Sequence, residues 1–115
     1  MLAWCERATQ VGLSGIALPE IVAAFCRLRR EGQVTAAQYR QLKARLLADI
    51  TDIAVCDLSP EVMRQAVWSL ETDVLRGMDA IHIGSAVALE AELFISADKR
   101  QCAAAAHAGL QVTQV

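Results

Sequence analysis

Aromatic side chains are scarce in this chain: two Trp, two Phe and one Tyr make up 4% of 115 residues. No series of aromatics suggests base stacking, and Ala, Leu, Val and Ile must supply most of the burial. Positive charge is not in excess either. Eleven Lys and Arg against 13 Asp and Glu leave a net charge of −2. Any nucleic-acid contact therefore has to come from a local patch, such as Arg27, Arg29 and Arg30, or Lys99 and Arg100. The apolar tracts carry charges or fall short of bilayer-spanning length, and no basic-then-apolar leader opens the chain. The expectation is a soluble, cytoplasmic protein with no membrane partner. A composition of 55% hydrophobic and 21% charged residues argues against disorder as well.

The four cysteines do not form a framework. Cys5, Cys26, Cys56 and Cys102 match neither a C-x-x-C redox pair nor a zinc pattern, and only His82 and His107 are there to supplement them. They read as buried free thiols. Trp4 and Trp68 read as packing residues.

No repeat, low-complexity stretch or linker interrupts the chain, whose length suits one domain. Strand-like and helical runs alternate instead. Gly12–Leu18 predicts a short strand ended by Pro19, which suits the first turn of a helix carrying Ile21, Val22, Phe25 and Leu28 to Gly32. Thr35 and Gln38 make a capping-box pattern for a helix whose buried face is Tyr39, Leu42, Leu46 and Ile50. Ile53–Leu58 is a second strand, and Ser59, Pro60 and Glu61 open another helix. Ala80–Ala91, apolar on nearly every side, predicts a deep helix. Leu93–Ser96 is a third strand, Asp98 caps an Ala-rich helix that stops at Gly109, and Leu110–Val115 alternates as an edge strand. This order implies an α/β fold with a mostly parallel central sheet flanked by helices on both faces. Leu2–Thr9 looks like the end of an amphipathic helix without a cap, as though the chain began inside an element.

Ligands of such folds bind beyond the carboxyl ends of the strands. Glu20 follows the first strand, Asp98 follows the third, and Asp79 starts the deep helix. Desolvated carboxylates gathered there would repel unless a cation compensated them. Oxygen ligands without Cys or His favour Mg²⁺ or Mn²⁺, which can activate water and stabilise charge on a phosphodiester. The same acids have structural uses: Asp79 and Asp98 suit helix N-caps, and Glu20 suits a helix's first turn. Ser96 is a further candidate for substrate or metal-bound water, His82 for a hydrogen bond to Asp79, and Arg76 and Lys99 for a phosphate.

Two segments carry a resemblance. ALPEIVAAFCRLRREGQVT resembles the second block of PIN-domain ribonucleases, particularly VapC-type toxins of type II toxin–antitoxin pairs. RGMDAIHIGSAVALEAELFISADKRQCAAAAHAGLQV resembles their third and fourth blocks in the same order. The D-A-x-H block followed by a strand and S-A-D is the more specific part. The resemblance implies that Glu20, Asp79 and Asp98 are three of the family's four acids, catalytic and metal-binding. It further implies an Mg²⁺-dependent endoribonuclease, an RNA substrate, an antitoxin partner and a homodimer or higher homo-oligomer. The family's opening strand, which ends in the fourth aspartate, has no counterpart, so a shortened PIN-like domain over 1–115 is the expectation. The alternative is a catalytically impaired PIN-like module for binding or dimerisation. For dimerisation, the face near Phe25 and Leu28 is the one expected to lack cover.

Overall fold

A computed structural model describes residues 10–115. The helical segment read at Leu2–Thr9, with Trp4 and Cys5, lies outside the described residues. Among those described, five helices and four three-residue strands make a mixed α/β chain. They fall into two compact units: 10–11 with Ile16–Ala54, and Gly12–Gly15 with Val55–Val115.

The first unit is built on two helices, α1 (Ala17–Arg30) and α2 (Ala36–Ile50). Helix α1 begins earlier than expected, so the strand predicted to reach Leu18 stops at Ser14. Pro19 sits inside the first turn, where its missing N–H still has no intrahelical partner to lose. Gly32 takes φ +74°, the left-handed conformation that ends helices at low cost. The capping box of α2 is present in both directions. Gln38 N donates to Thr35 Oγ1 at 3.1 Å, and Thr35 N donates to Gln38 Oε1 at 2.8 Å. The buried face expected on α2 is only partly covered: Tyr39, Leu46 and Ile50 are half-buried and Leu42 is exposed. Among the described elements α1 is the one that packs most against it, and it shields only part of the surface. Phe25 and Leu28, expected to lack cover, are half-buried.

In the second unit, β1 (Gly12–Ser14) lies beside β2 (Ala54–Cys56), and Gly15 N donates to Cys56 O at 2.8 Å. Strand β3 (Phe94–Ser96) pairs in parallel with β4 (Val112–Gln114), with Ser96 opposite Gln114. The single central sheet expected from the strand order is thus replaced by two separate two-stranded pairs among the described residues. Three-residue strands form few ladder bonds, and helices rather than further strands supply most of the packing around them.

Helices α3 (Pro60–Thr72), α4 (Gly77–Ala88) and α5 (Lys99–His107) complete this unit. Ser59 Oγ accepts from Val62 N at 3.2 Å and caps α3, with Pro60 at its first position. Helix α4 is the deep helix the sequence predicts: Ala80, Ile83, Gly84, Ser85 and Ala86 are buried. Ile83, Ala104 and Ala105 form a core that Leu75, Phe94, Leu110 and Val112 surround. Against α3, the contact is made of small groups. A Cβ at Gly84 would lie 2.6 Å from the carbonyl oxygen of Val62, so the helices approach only because that atom is absent. Asp73, the C-cap of α3, meets the last turn of α5 through a 2.7 Å contact between its Oδ1 and Nδ1 of His107. Cys26, Cys56 and Cys102 are free thiols, but only Cys102 is buried. Trp68 is 44% exposed and is not the packing residue its sequence suggests, because it falls outside the stripe of α3 that meets α4.

Helix α4 stops at Ala88, before the expected Ala91, and Glu90 follows with φ +55°. A left-handed non-glycine residue there is strained. Glu90→Gly is expected to stabilise the protein by about 0.5–1 kcal/mol, read as a raised midpoint in urea unfolding. Gly84→Ala gains helix propensity of about 1 kcal/mol but meets backbone, and a net loss of roughly 1–3 kcal/mol is expected in the same measurement. A stable Gly84→Ala protein would show that α3 and α4 do not pack this closely.

Candidate functional site at the end of the third strand

The chain turns sharply after β3, and three side chains hold the turn. Ser96 Oγ accepts from Asp98 N at 3.1 Å and donates to Gln101 Oε1 at 2.6 Å. Asp98 Oδ1 accepts from the backbone N–H groups of Arg100 at 2.8 Å and Gln101 at 3.2 Å, which caps α5. These bonds satisfy amides that otherwise have no partner at a helix start, and the aspartate's charge suits the positive end of the helix dipole. Gln101 then extends the network across to α4. Its Nε2 lies 3.5 Å from Asp79 Oδ1, a long and therefore weak contact.

Two of the three predicted acids are therefore joined through one residue. Asp79 lies in the first turn of α4 and is half-buried; Arg76, not Asp79, is the N-cap residue. Asp98 is exposed and acts as the cap of α5. Glu20 stands in the first turn of α1, in the first unit, also half-buried. His82 is half-buried one turn beyond Asp79, and Arg76, Lys99 and Arg100 are exposed. Ser96 spends its hydroxyl on shaping the turn, as donor and acceptor together. The basic residues Arg27, Arg29 and Arg30 lie in the last turn of α1, where they are exposed.

Gln101 is the member that sequence reasoning missed, although a signal was there. Asp98 and Gln101 stand in the same D-x-x-Q spacing as a capping box. In such a box the glutamine accepts from the cap residue's own N–H. Ser96 takes that bond here, which leaves the Gln101 amide group to reach Asp79. The Asp73–His107 pair was also missed, because 34 residues separate its members and neither stands in a recognisable motif.

The Cys102 thiol also meets this turn, donating to the Ser96 carbonyl at 3.5 Å, and the other side chains around it present oxygen atoms. No group of three or more His, Cys, Asp or Glu side chains placed to hold a metal ion occurs among the described residues. No described helix is long and apolar enough to cross a membrane. No protein-family model matches the chain, and a search of curated proteins finds no match either.

The two uses of Asp98 can be separated. Asp98→Ala is expected to lose about 1 kcal/mol of stability with its cap, whereas Asp98→Asn keeps an accepting oxygen and should stay within a few tenths of the parent. Ser96→Ala removes the bonds to the Asp98 N–H and to Gln101 Oε1 and is expected to cost about 1 kcal/mol, because the Asp98 N–H stays open to water. Chemical denaturation of the three variants checks this ordering.

Proposed function

We propose that this chain is a PIN-like ribonuclease domain, acting in the cytoplasm as the toxin of a VapC-type pair on RNA phosphodiesters. The observation that supports it best is the Gln101 side chain and backbone spanning Asp79 and Asp98 at the end of β3. Those acids come from separate segments that both resemble PIN-domain blocks. The resemblance assigns the same role to Glu20. In this reading Asp79 and Asp98 hold Mg²⁺ or Mn²⁺ partly through water, and the ion supplies activation of water and charge stabilisation at phosphorus. Gln101 positions the Asp79 carboxylate, and Ser96 holds the turn that presents Asp98. In the same reading Arg76 and Lys99, which are exposed and close to these acids in the sequence, meet phosphate oxygens of the substrate. An antitoxin is the expected protein partner.

A second reading has its own support. Ser96 and Asp98 are already engaged in holding the first turn of α5, which is what a binding module without chemistry would need of them.

Cleavage of single-stranded RNA with Mg²⁺, Mn²⁺ or a chelator decides between the two. The nuclease reading expects metal-dependent cleavage that falls by roughly a hundredfold in Asp79→Asn, the scale of losing one well-placed electrostatic group. It also expects millimolar Mn²⁺ to raise the melting temperature of the parent by mass action, and less so in Asp79→Asn. Undiminished cleavage by Asp79→Asn, or a melting temperature indifferent to Mn²⁺, removes Asp79 from any metal site.

A further inference from the structure

Charge is unevenly spread along the chain. Six of the 11 basic residues stand between Arg27 and Arg45, with Glu31 the one acid among them. Six cations against one acid give that stretch +5, which leaves −7 for the rest of a chain of net −2. The stretch takes in the last turn of α1, the left-handed Gly32 and the first turns of α2. Tyr39 is where the two helices bring its charges together. Arg29 Cζ, from α1, lies 5.4 Å from the centre of the Tyr39 ring, and Lys43 Nζ, one turn along α2, lies 5.5 Å from it. The ring attracts both cations without neutralising them, and neither takes part in an ion pair among the described residues. The phenol adds a third donor. Cys26 Sγ donates to Tyr39 Oη at 3.7 Å, while the phenolic proton has no acceptor among the described residues. Arg29 is exposed and Tyr39 and Lys43 are half-buried, so a solute can reach all three.

Three donors without acceptors, two of them fully charged, are the complement of an anion. We propose that Arg29, Lys43 and the Tyr39 hydroxyl bind a phosphate monoester at the seam between α1 and α2. A monoester offers three acceptor oxygens and close to two negative charges, which match three donors and two cations. A phosphodiester has a single charge and two free oxygens, so one donor goes unmet, and a carboxylate falls short in the same way. The forked guanidinium can grip two oxygens together, whereas the ammonium meets one as a point charge. Long stems let both heads turn from the ring towards an anion beside its hydroxyl. The two cations are already gathered at one ring, and binding a dianion relieves their mutual repulsion. Water screens charges in so open a place, and the expected affinity is weak, on the order of millimolar.

This inference does not depend on the nuclease reading, and its test involves neither RNA nor metal. Tyr39 is the one tyrosine in the sequence, so tyrosine ring-proton resonances report on this site alone. Titration at low ionic strength with adenosine monophosphate, and separately with inorganic phosphate, should move them along saturable curves. The two ligands are expected to agree within about tenfold, which assigns recognition to the phosphate group. Cyclic adenosine monophosphate, a diester, and adenosine, which has no phosphate, should both bind at least roughly tenfold more weakly than adenosine monophosphate. Arg29→Gln and Lys43→Gln should each weaken adenosine monophosphate by about tenfold, while Arg40→Gln, a charge lost from the same helix as Lys43, should cost no more than about twofold. Tyr39→Phe, followed through the phosphorus resonance of the ligand, should lose a smaller factor, that of one neutral donor. A cyclic nucleotide that binds the parent as well as the open monophosphate overturns the proposal and leaves a general basic surface. Tyr39 resonances that neither phosphate ligand moves overturn it too, as does a loss in Arg40→Gln equal to that in Arg29→Gln.

Discussion

The second unit depends on how closely its helices approach. With few aromatic side chains to fill wide gaps, the chain packs Ala, Gly and Ser instead, and helix axes must come together until small groups touch. Gly84 against the Val62 carbonyl is the tightest point of this arrangement. Around it, Ala66, Ser69, Ala80 and Ser85 are buried without large side chains to separate the backbones. Close packing of this kind tolerates no added volume, since the opposing surface is main chain and cannot turn aside.

Much of the local structure was legible because short-range chemistry decides it. Thr35 with Gln38, Ser59 with Pro60, and Asp98 all start helices where their hydroxyls, carboxylate or ring suggest, and Gly32 and Gly109 end them with positive φ. Boundaries shifted where two signals overlapped. The GLSGIAL run reads as a strand, yet its last two residues, Ala17 and Leu18, join α1 ahead of Pro19. The sheet was less legible, since strand pairing joins residues far apart in sequence and a short apolar run does not name its neighbour. Trp68 failed for a related reason: an aromatic residue on an amphipathic helix does not reveal which side meets the core until the partner helix is in place.

At the candidate site the acids were visible in the sequence and the network between them was not. Asp98 carries both a structural and a chemical signal, and the structure shows the structural one in full through its bonds to Arg100 and Gln101. Gln101 was hidden because a helix N-terminus has its own use for a glutamine at that spacing. Only when Ser96 occupies the Asp98 amide does the Gln101 side chain become free to act elsewhere. A single hydroxyl thus decides whether a glutamine closes a cap or bridges to another helix.

Strand β1 has a consequence for how the polypeptide can be divided. Gly12–Gly15 belongs to the second unit, while the residues on either side of it belong to the first. The chain enters the second unit for four residues, returns to the first for some forty more, and re-enters at Val55. No single cut separates the two units. A fragment beginning at Val55 would lack the strand beside β2, leaving the Cys56 carbonyl without the Gly15 amide. During synthesis the reverse holds: β1 leaves the ribosome early and must wait, unpaired, until β2 follows it.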